Sequence, residues 1–391
     1  MSKWEQCNLS DLITLKRGYD LPNRERVHGK YPIISSSGIS GFHKEAKVKA
    51  PGVVTGRYGT LGEVFYITKD FWPLNTSLYI QNFKGNNPRF ISYFLKTLDF
   101  GSQNVAGAVP GVNRNSLHRL RIRKPPLPVQ KKIAAILSAY DDLIENNNRR
   151  IAILEKMAEE IYREWFVRLR FPGHEQVKFN KGIPESWEIK QLGELVTTQY
   201  GYTASAEEKE VGPKFLRITD IVPNILDWDY VPYCTISDKE IKKYLLHEGD
   251  IVVARTGATV GYAKRIHKYH PNSVFASYLV RLKPNKLENS IFLGIAVESN
   301  NFKNFISMFF TGSAQPQANA QVMSLFSLLY PTEDLIRRFN KIVNPILDHK
   351  EILFLKNSSL KKTRDRLLTR LISGKLSVED LDIQFPPSMT E

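Results

Sequence analysis

The chain is written twice, and that restricts its architecture more than any local pattern does. Trp4-Glu5 is followed by Leu9 and Leu12, Trp187-Glu188 by Leu192 and Leu195 at the same spacing, and Gly18-Tyr19 returns 183 positions later as Gly201-Tyr202. Farther along, Gly107, Pro110, Asn113 and Pro126 answer to Gly312, Pro316, Asn319 and Pro331 at offsets of 205 to 206, so the second copy carries about 22 extra residues. Solenoid units repeat every ~20–50 residues. A repeat near 200 residues instead implies two similar domains in tandem, each able to bury its own core, and hence two similar binding events on a pseudo-symmetric partner.

Within each copy, short β-branched and aromatic runs punctuated by Gly and Pro predict an α+β module. Val53-Val54-Thr55, a turn at Gly59 and the run 64–67 read as a hairpin, matched by Ile251-Val252-Val253, a turn through Gly257 and Gly261, and the run 262–266. A further strand follows in each copy, over 77–83 and 277–282, and then a short helix, around 91–98 and 291–310. After each module the apolar period changes from 2 to 3.5. Ile133, Leu137, Tyr140, Ile144, Asn147, Ile151, Leu154, Ala158, Ile161 and Trp165 alternate spacings of four and three, and Phe339, Val343, Ile346, Lys350, Leu353, Asn357, Leu360, Arg364, Leu367 and Leu371 repeat them 206 positions later. Such a series predicts a coiled-coil seam about 60 Å long at ~1.5 Å per residue, longer than a globular surface offers.

The two helices are expected to pair. Because a module separates them, the second can run back along the first, giving an antiparallel pair. Its seam is more polar, and Pro345 falls early in it; a proline costs about 3 kcal/mol in a helix interior, so a kink or a late helix start is expected there. The division that follows is 1–127 and 186–332 for the modules and 128–170 and 333–376 for the helices, with 171–185 as a linker and 377–391 as an acidic tail.

The formal charge is +15, and its distribution is more informative than its sum. Residues 1–127 carry 19 Lys and Arg against 8 Asp and Glu, a net +11, whereas 186–332 carry 15 against 14, a net +1. The second copy concentrates its basicity: from Ile251 to Leu287 there is no acid but Arg255, Lys264, Arg265, Lys268, Arg281, Lys283 and Lys286. A similar acid-free stretch, Gly101 to Tyr140, holds Arg114, Arg119, Arg121, Arg123, Lys124, Lys131 and Lys132. Local positive faces with interleaved aromatics suit a polyphosphate partner.

Catalytic motifs are sought and fail. Gly29-Lys30 and Gly374-Lys375 lack the upstream Gly and the following Ser or Thr of a phosphate loop, and Gly38-Ile39-Ser40-Gly41 reads as a turn. Lys124-Pro125-Pro126-Leu127 lacks the Asn or Asp before the prolines and the aromatic after them that an amino-methyltransferase site would need. Asp229, Glu240 and Lys242 fit a nuclease spacing only loosely and have no equivalent in the other copy. His267 and His270 have no third ligand at suitable spacing, which favours a phosphate-facing or solvent role over a metal site. Cys7 and Cys234 form no CxxC pair and read as free thiols of a reducing cytoplasm. No apolar run approaches the ~20 residues of a membrane helix.

Two modules that each open Trp-Glu-x3-Leu-x2-Leu, hold an Arg-x-Gly turn and end at a proline before a long helix resemble the specificity subunit of type I restriction-modification enzymes. Gln130-Lys131-Lys132-Ile133 running into the stretch 136–147, and the closing Leu367-Leu368-Thr369-Arg370-Leu371-Ile372-Ser373-Gly374-Lys375-Leu376, carry the resemblance most specifically, and it covers nearly the whole chain. It implies an α+β fold in which two similar target-recognition domains are separated by a long antiparallel two-helix coiled coil, as a pseudo-two-fold repeat. It further implies that each domain reads one half of an interrupted site in double-stranded DNA. The helices then bind two methyltransferase subunits and, through them, restriction subunits. The S-adenosylmethionine chemistry lies in the methyltransferases, so the chain itself is expected to be non-catalytic, without cofactor or metal, and cytoplasmic.

The leading DNA-contact candidates are Arg57 and Arg255, since Arg reads guanine O6 and N7 bidentately or clamps a phosphate; each could equally cap its own turn. Their neighbours Tyr58 and Thr256 join them, with Arg114 and Gln317. Tyr19 and Tyr202 either project beside the groove or pack in the core, and Asn113 and Asn319 either contact adenine or shape loops. The candidates for the helix seam and for partner binding are Ile133, Leu137, Tyr140, Ile144, Ile151, Leu154, Ile161, Trp165, Leu353, Leu360, Leu367 and Leu371. Two other classes stay open: a scaffold that joins proteins without reading DNA, and a nuclease or methyltransferase acting alone.

Overall fold

The computed structural model describes residues 4–58, 61–100, 111–223, 226–309, 318–386 and 389. Gly59, Gly107, Pro110, Gly312, Pro316 and Gln317 lie outside the described residues. The chain forms two compact units, 1–146 together with 359–391, and 147–358.

In the first unit, β1 (Glu5–Asn8) leads into a single helical turn, α1 (Leu9–Leu12). That turn exists because Asp11 reaches back to accept the Asn8 N–H at 2.9 Å while Leu9 and Leu12 drop into the core. Next come β2 (Thr14–Arg17), β3 (Tyr31–Ser35), β4 (Gly38–His43), β5 (Gly52–Gly56), β6 (Val64–Ile67), β7 (Trp72–Pro73) and β8 (Ser77–Asn82). An antiparallel sheet in the order β2-β8-β5-β6 has the wholly buried β5 as an inner strand, and β3 pairs parallel with β7. Helices α2 (Pro88–Lys96) and α3 (Arg114–His118) are followed by β9 (Arg121–Lys124), which closes back on β1, and by the long helix α4 (Leu127–Tyr162). Glycine is required at Gly18, where a Cβ would lie 2.1 Å from the Leu74 carbonyl oxygen.

The second unit repeats this plan. Its opening segment, 171–185, is folded rather than a free linker: Phe171 stacks on Trp187 at 5.3 Å, and β10 (Phe179–Asn180) pairs with β11 (Ile183–Pro184). β12 (Glu188–Gln191) and the capped turn α5 (Leu192–Leu195) answer to β1 and α1, with Glu194 accepting the Gln191 N–H at 2.7 Å. β13 (Val196–Tyr200), β14 (Lys214–Leu216), α6 (Ile218–Ile221), α7 (Asp238–Tyr244), β15 (Ile251–Ala254), β16 (Ala263–Arg265), β17 (Ser273–Phe275) and β18 (Leu279–Pro284) follow. The sheet order β13-β18-β15-β16 matches β2-β8-β5-β6 strand for strand, and β14 pairs parallel with β17 as β3 does with β7. A Cβ at Gly201 would meet the Ala276 carbonyl oxygen at 2.2 Å, the counterpart of Gly18. Most of the added length lies in 217–250, where α6 and α7 stand in place of the β4 hairpin. The helix expected over 291–310 is two helices, α8 (Ser290–Glu298) and α9 (Asn300–Ser307), because Ser299 takes extended backbone and caps the second. Then come α10 (Ala320–Ser324), β19 (Ser327–Tyr330), which pairs with β12, and the long helix α11 (Glu333–Ile372).

The late start expected at Pro345 does not occur: α11 begins at Glu333 and continues through the proline. Lys341 and Pro345 are both exposed, so the carbonyl left without its helical N–H partner faces water rather than a packed layer. Within each unit the two helices run antiparallel. In the first, Ile133 and Leu137 of α4 share a core with Leu371, Ile372 and Val378, and Arg364 reaches Asp141. In the second, Trp165 and Phe166, in a π-helical turn that ends α4, pack on Phe339 at 5.8 and 4.9 Å, and Asn147 meets Asn357. Every seam position is buried or half-buried; the larger apolar ones contribute about 1.5–3 kcal/mol each when fully covered. The expected acidic tail is packed too, with Val378 buried and Lys132 donating to the Glu379 and Leu381 carbonyls at 2.6 and 2.8 Å.

Candidate nucleic-acid interface

Arg57 and Arg255 occupy equivalent places. Each follows the inner strand of its sheet, and each donates its backbone N–H to the hairpin beyond, Arg57 to Thr76 O at 2.9 Å and Arg255 to Tyr278 O at 3.0 Å. Each carbonyl then accepts from the residue that leads into the next short helix, Val112 at 3.0 Å and Ala318 at 2.9 Å. Asn113 and Asn319 cap those helices, accepting from Asn115 N and Val322 N at 2.8 Å in both cases. Both asparagines thus shape the turns in which they lie. A backbone pinned on both sides holds an arginine at the sheet end with only its side chain left to choose a partner.

The side chains then diverge. The Arg57 guanidinium lies 4.5 Å from the exposed Tyr58 ring and donates to its hydroxyl at 3.2 Å. Arg17, Arg57, Tyr58, Asn113 and Arg114 line an open cleft of about 460 Å³. His118 accepts the Leu15 N–H on Nε2 at 3.0 Å, and its pKa is pushed down by burial and then by Arg114 and Lys84, which keeps it a neutral acceptor. In the second unit the Arg255 Nε donates to Ser277 O at 3.0 Å, and its guanidinium lies 4.9 Å from the Tyr200 ring. The Tyr200 hydroxyl is itself fixed, accepting the Ala320 N–H at 3.1 Å. Thr256, half-buried, caps no helix through its side chain, and Arg114 is exposed at the rim of the first cleft.

Tyr19 and Tyr202 are half-buried, each packed on aromatic neighbours. Tyr19 sits against Trp72 and bonds the Tyr79 hydroxyl at 3.0 Å, and Tyr202 packs on Tyr244 at 5.3 Å. Arg17 and Tyr200 were missed. They are the residues immediately before the repeated Gly-Tyr pairs, so the flank of the repeat carried the signal.

His267 and His270 face neither phosphate nor solvent, contrary to the sequence expectation. His267 is 3% exposed and bonds Asp348 of α11 at 2.9 Å, and His270 bonds Glu351 at 3.4 Å. Burial first, and then Arg265, push the His267 pKa down to about 4. Burial alone would raise Glu351, but His270 and Lys350 bring it down to about 2. The partner acids lie 81 residues farther along the chain, so spacing could not reveal them. Among the described residues no group of three or more His, Cys, Asp or Glu is placed to hold a metal ion, and no helix is long and apolar enough to cross a membrane.

The family model for the type I restriction modification DNA specificity domain matches residues 1–156 and again 184–335. The chain belongs to the type I DNA specificity family. The MjaVIII specificity subunit of Methanocaldococcus jannaschii is 25% identical, over 97% of this chain and 94% of its own length. The MjaIX subunit of the same organism is 26% identical over 74% of this chain and 67% of its own length. The HindI specificity subunit of Haemophilus influenzae is 21% identical over 70% and 73%. A crystal structure of a type I S subunit from M. genitalium shares the fold, with a TM-score of 0.63 at 19% identity over 95% of this chain and 96% of that one. The two matched segments fall one on each copy of the internal repeat, the first running on into α4.

Proposed function

We propose that this chain is the non-catalytic DNA-recognition subunit of a type I restriction-modification complex. The modules 1–127 and 186–332 each read one half of an interrupted duplex site, and the helices set the spacing between them. The observation that carries this is the equivalent suspension of Arg57 and Arg255, each held by its backbone at a sheet end with its guanidinium over a tyrosine ring, Arg57 with Arg17 and Arg114 beside it. Two methyltransferase subunits then supply the chemistry, with restriction subunits joining through them in the cytoplasm. Because the seam residues are consumed by the helix pair, those partners dock on the outer faces, where Leu143, Ile153 and Met157 of α4 are 47%, 58% and 45% exposed. Selection from a pool of random duplexes by the assembled complex tests the reading: a bipartite consensus supports it, and enrichment of no sequence would favour a scaffold. Methyl transfer or cleavage by the rigorously purified chain alone would overturn the non-catalytic part.

A further inference from the structure

The polar residues of the second seam are regularly placed. Lys350, Asn357 and Arg364 stand seven apart, one per heptad, where a coiled coil would ordinarily hold apolar side chains. Each meets a polar partner on α4. Lys350 Nζ lies 3.5 Å from Glu155 Oε1. Asn147 Nδ2 donates to Asn357 Oδ1 at 2.8 Å, and Asn357 Nδ2 donates to Asn148 Oδ1 at 2.9 Å. Arg364 Nη1 donates to Asp141 Oδ1 at 2.6 Å. Stepping from 350 to 357 to 364 on α11 moves the partner from 155 to 147 to 141 on α4, the progression of a single antiparallel register. The two central amides are 3% and 2% exposed, so they depend on each other rather than on water.

An apolar seam with a seven-residue repeat tolerates a slip of one heptad, since leucine meets leucine again. This seam does not. Slipped one way, Arg364 comes against Ile133 and Ala134, which are 1% and 0% exposed, and Val343 comes against Glu155. Slipped the other way, Lys350 comes against Tyr162 and its cluster with Phe166 and Phe339, and Leu371 against Asp141. Either slip also parts Asn147 from Asn357. Lys350 and Arg364 carry their neighbours Glu351 and Asp365 with them, but a charge brought against an apolar layer and a buried amide parted from its partner are both costly, so the alternative registers are penalised at several layers at once.

We propose that the pairs Lys350–Glu155, Asn357–Asn147 and Arg364–Asp141 form a register lock, and that through it they determine the spacer length at which the two DNA half-sites are read. The second clause rests on the reading of the helices as a spacer. A one-heptad slip displaces one helix along the other by about 10.5 Å at ~1.5 Å per residue, or roughly three base pairs at ~3.4 Å each.

The test strips the lock and follows register and spacer separately. In full-length chain with Cys7→Ser and Cys234→Ala, the variant carries N147L, N357L, E155L, K350L and R364L; Asp141 is kept because Arg89 and Tyr93 also use it. Cysteines introduced by I151C with L353C report the native register, and by I151C with I346C the slipped one. The lock predicts that only the first pair cross-links while the polar residues are present, and that both do once they are removed. Exclusive native cross-linking in the stripped chain would overturn the lock, whatever DNA does. Selection with the assembled complex on duplexes of graded spacer should then change from one preferred spacer to a set differing by about three base pairs. If the slipped cross-link forms but a single spacer is still selected, the lock stands and the step from register to spacer falls, together with the reading beneath it. Should the stripped chain fail to fold, the charge exchange E155K with K350E gives a second arm. It should retain native cross-linking and spacer if pairing sets register, and a lost register in that folded variant would overturn the proposal.

Discussion

Replacing Arg255 by Ala is expected to impair one half-site selectively. Its Nε is already bonded to Ser277 O and its guanidinium lies 4.9 Å from the Tyr200 ring, so the two terminal nitrogens, which bond no other group among the described residues, form the edge that would meet a pair of acceptors. Guanine O6 and N7 are such a pair, and a bidentate contact is worth about 1–3 kcal/mol of discrimination. At ~1.4 kcal/mol per decade that is roughly a 5- to 140-fold loss on the matched half. Arg255→Lys should recover little, because a single ammonium cannot present the fork. Tyr200→Phe keeps the stacking platform and loses only the bond to Ala320 N, so its effect should be the smaller. Competition titration of the assembled complex against duplexes altered in one half at a time measures this, and salt dependence discriminates the mechanism: loss of a phosphate contact flattens the slope of log K against log salt by ~0.9. Equal weakening on every sequence with a flattened slope would refute base reading by Arg255. The same experiment on Arg57→Ala should implicate the other half.

Three further outcomes are expected. Inserting one heptad into each long helix, in phase with the seam, should lengthen the preferred spacer by roughly three base pairs with unchanged half-site sequences, whereas a four-residue insert should destabilise the pair; a folded heptad variant that keeps the old spacer, mapped by methylation, contradicts the ruler. Acid should loosen the second unit: the His267 pKa falls from 6.5 to about 4 and that of Glu351 from 4.5 to about 2 in the folded state, so both contributions are complete above pH 6.5, decline as pH falls towards 2, and should appear in hydrogen exchange of β16 and β17. Gly18→Ala and Gly201→Ala should each unfold or distort one unit, since the added methyl meets a backbone carbonyl at 2.1 and 2.2 Å; thermal melting at wild-type temperature would show that the crossing is looser.

The repeat made the architecture legible because Leu9, Leu12, Gly18 and their counterparts mark structural necessities: a capped turn and a backbone crossing with no room for a Cβ. The seam was legible because its period follows directly from helix geometry. Pro345 misled, as proline cost depends on which face the lost hydrogen bond occupies. The histidine pair misled because its partners Asp348 and Glu351 are distant in sequence. Lys350, Asn357 and Arg364 looked like defects of the second seam only while their partners on α4 were unknown. At the interface, the equivalence of Arg57 and Arg255 could be read, but the contrast between a guanidinium resting on its neighbouring tyrosine and one fixed to a carbonyl required the fold.

The discontinuity of the first unit also bears on how the molecule is made. Its core includes Leu371, Ile372 and Val378, which leave the ribosome after everything in 147–358. The module synthesised first is therefore finished last: its strands can form early, but the layer under Ile133 and Leu137 stays open until the end of α11 arrives. The uninterrupted second unit can close beforehand and hold α11 in a helical conformation. A nonsense mutation near the C-terminus would thus damage the N-terminal module while sparing its neighbour, and a nascent-chain chaperone would find its longest-lived exposed surface on the residues translated earliest.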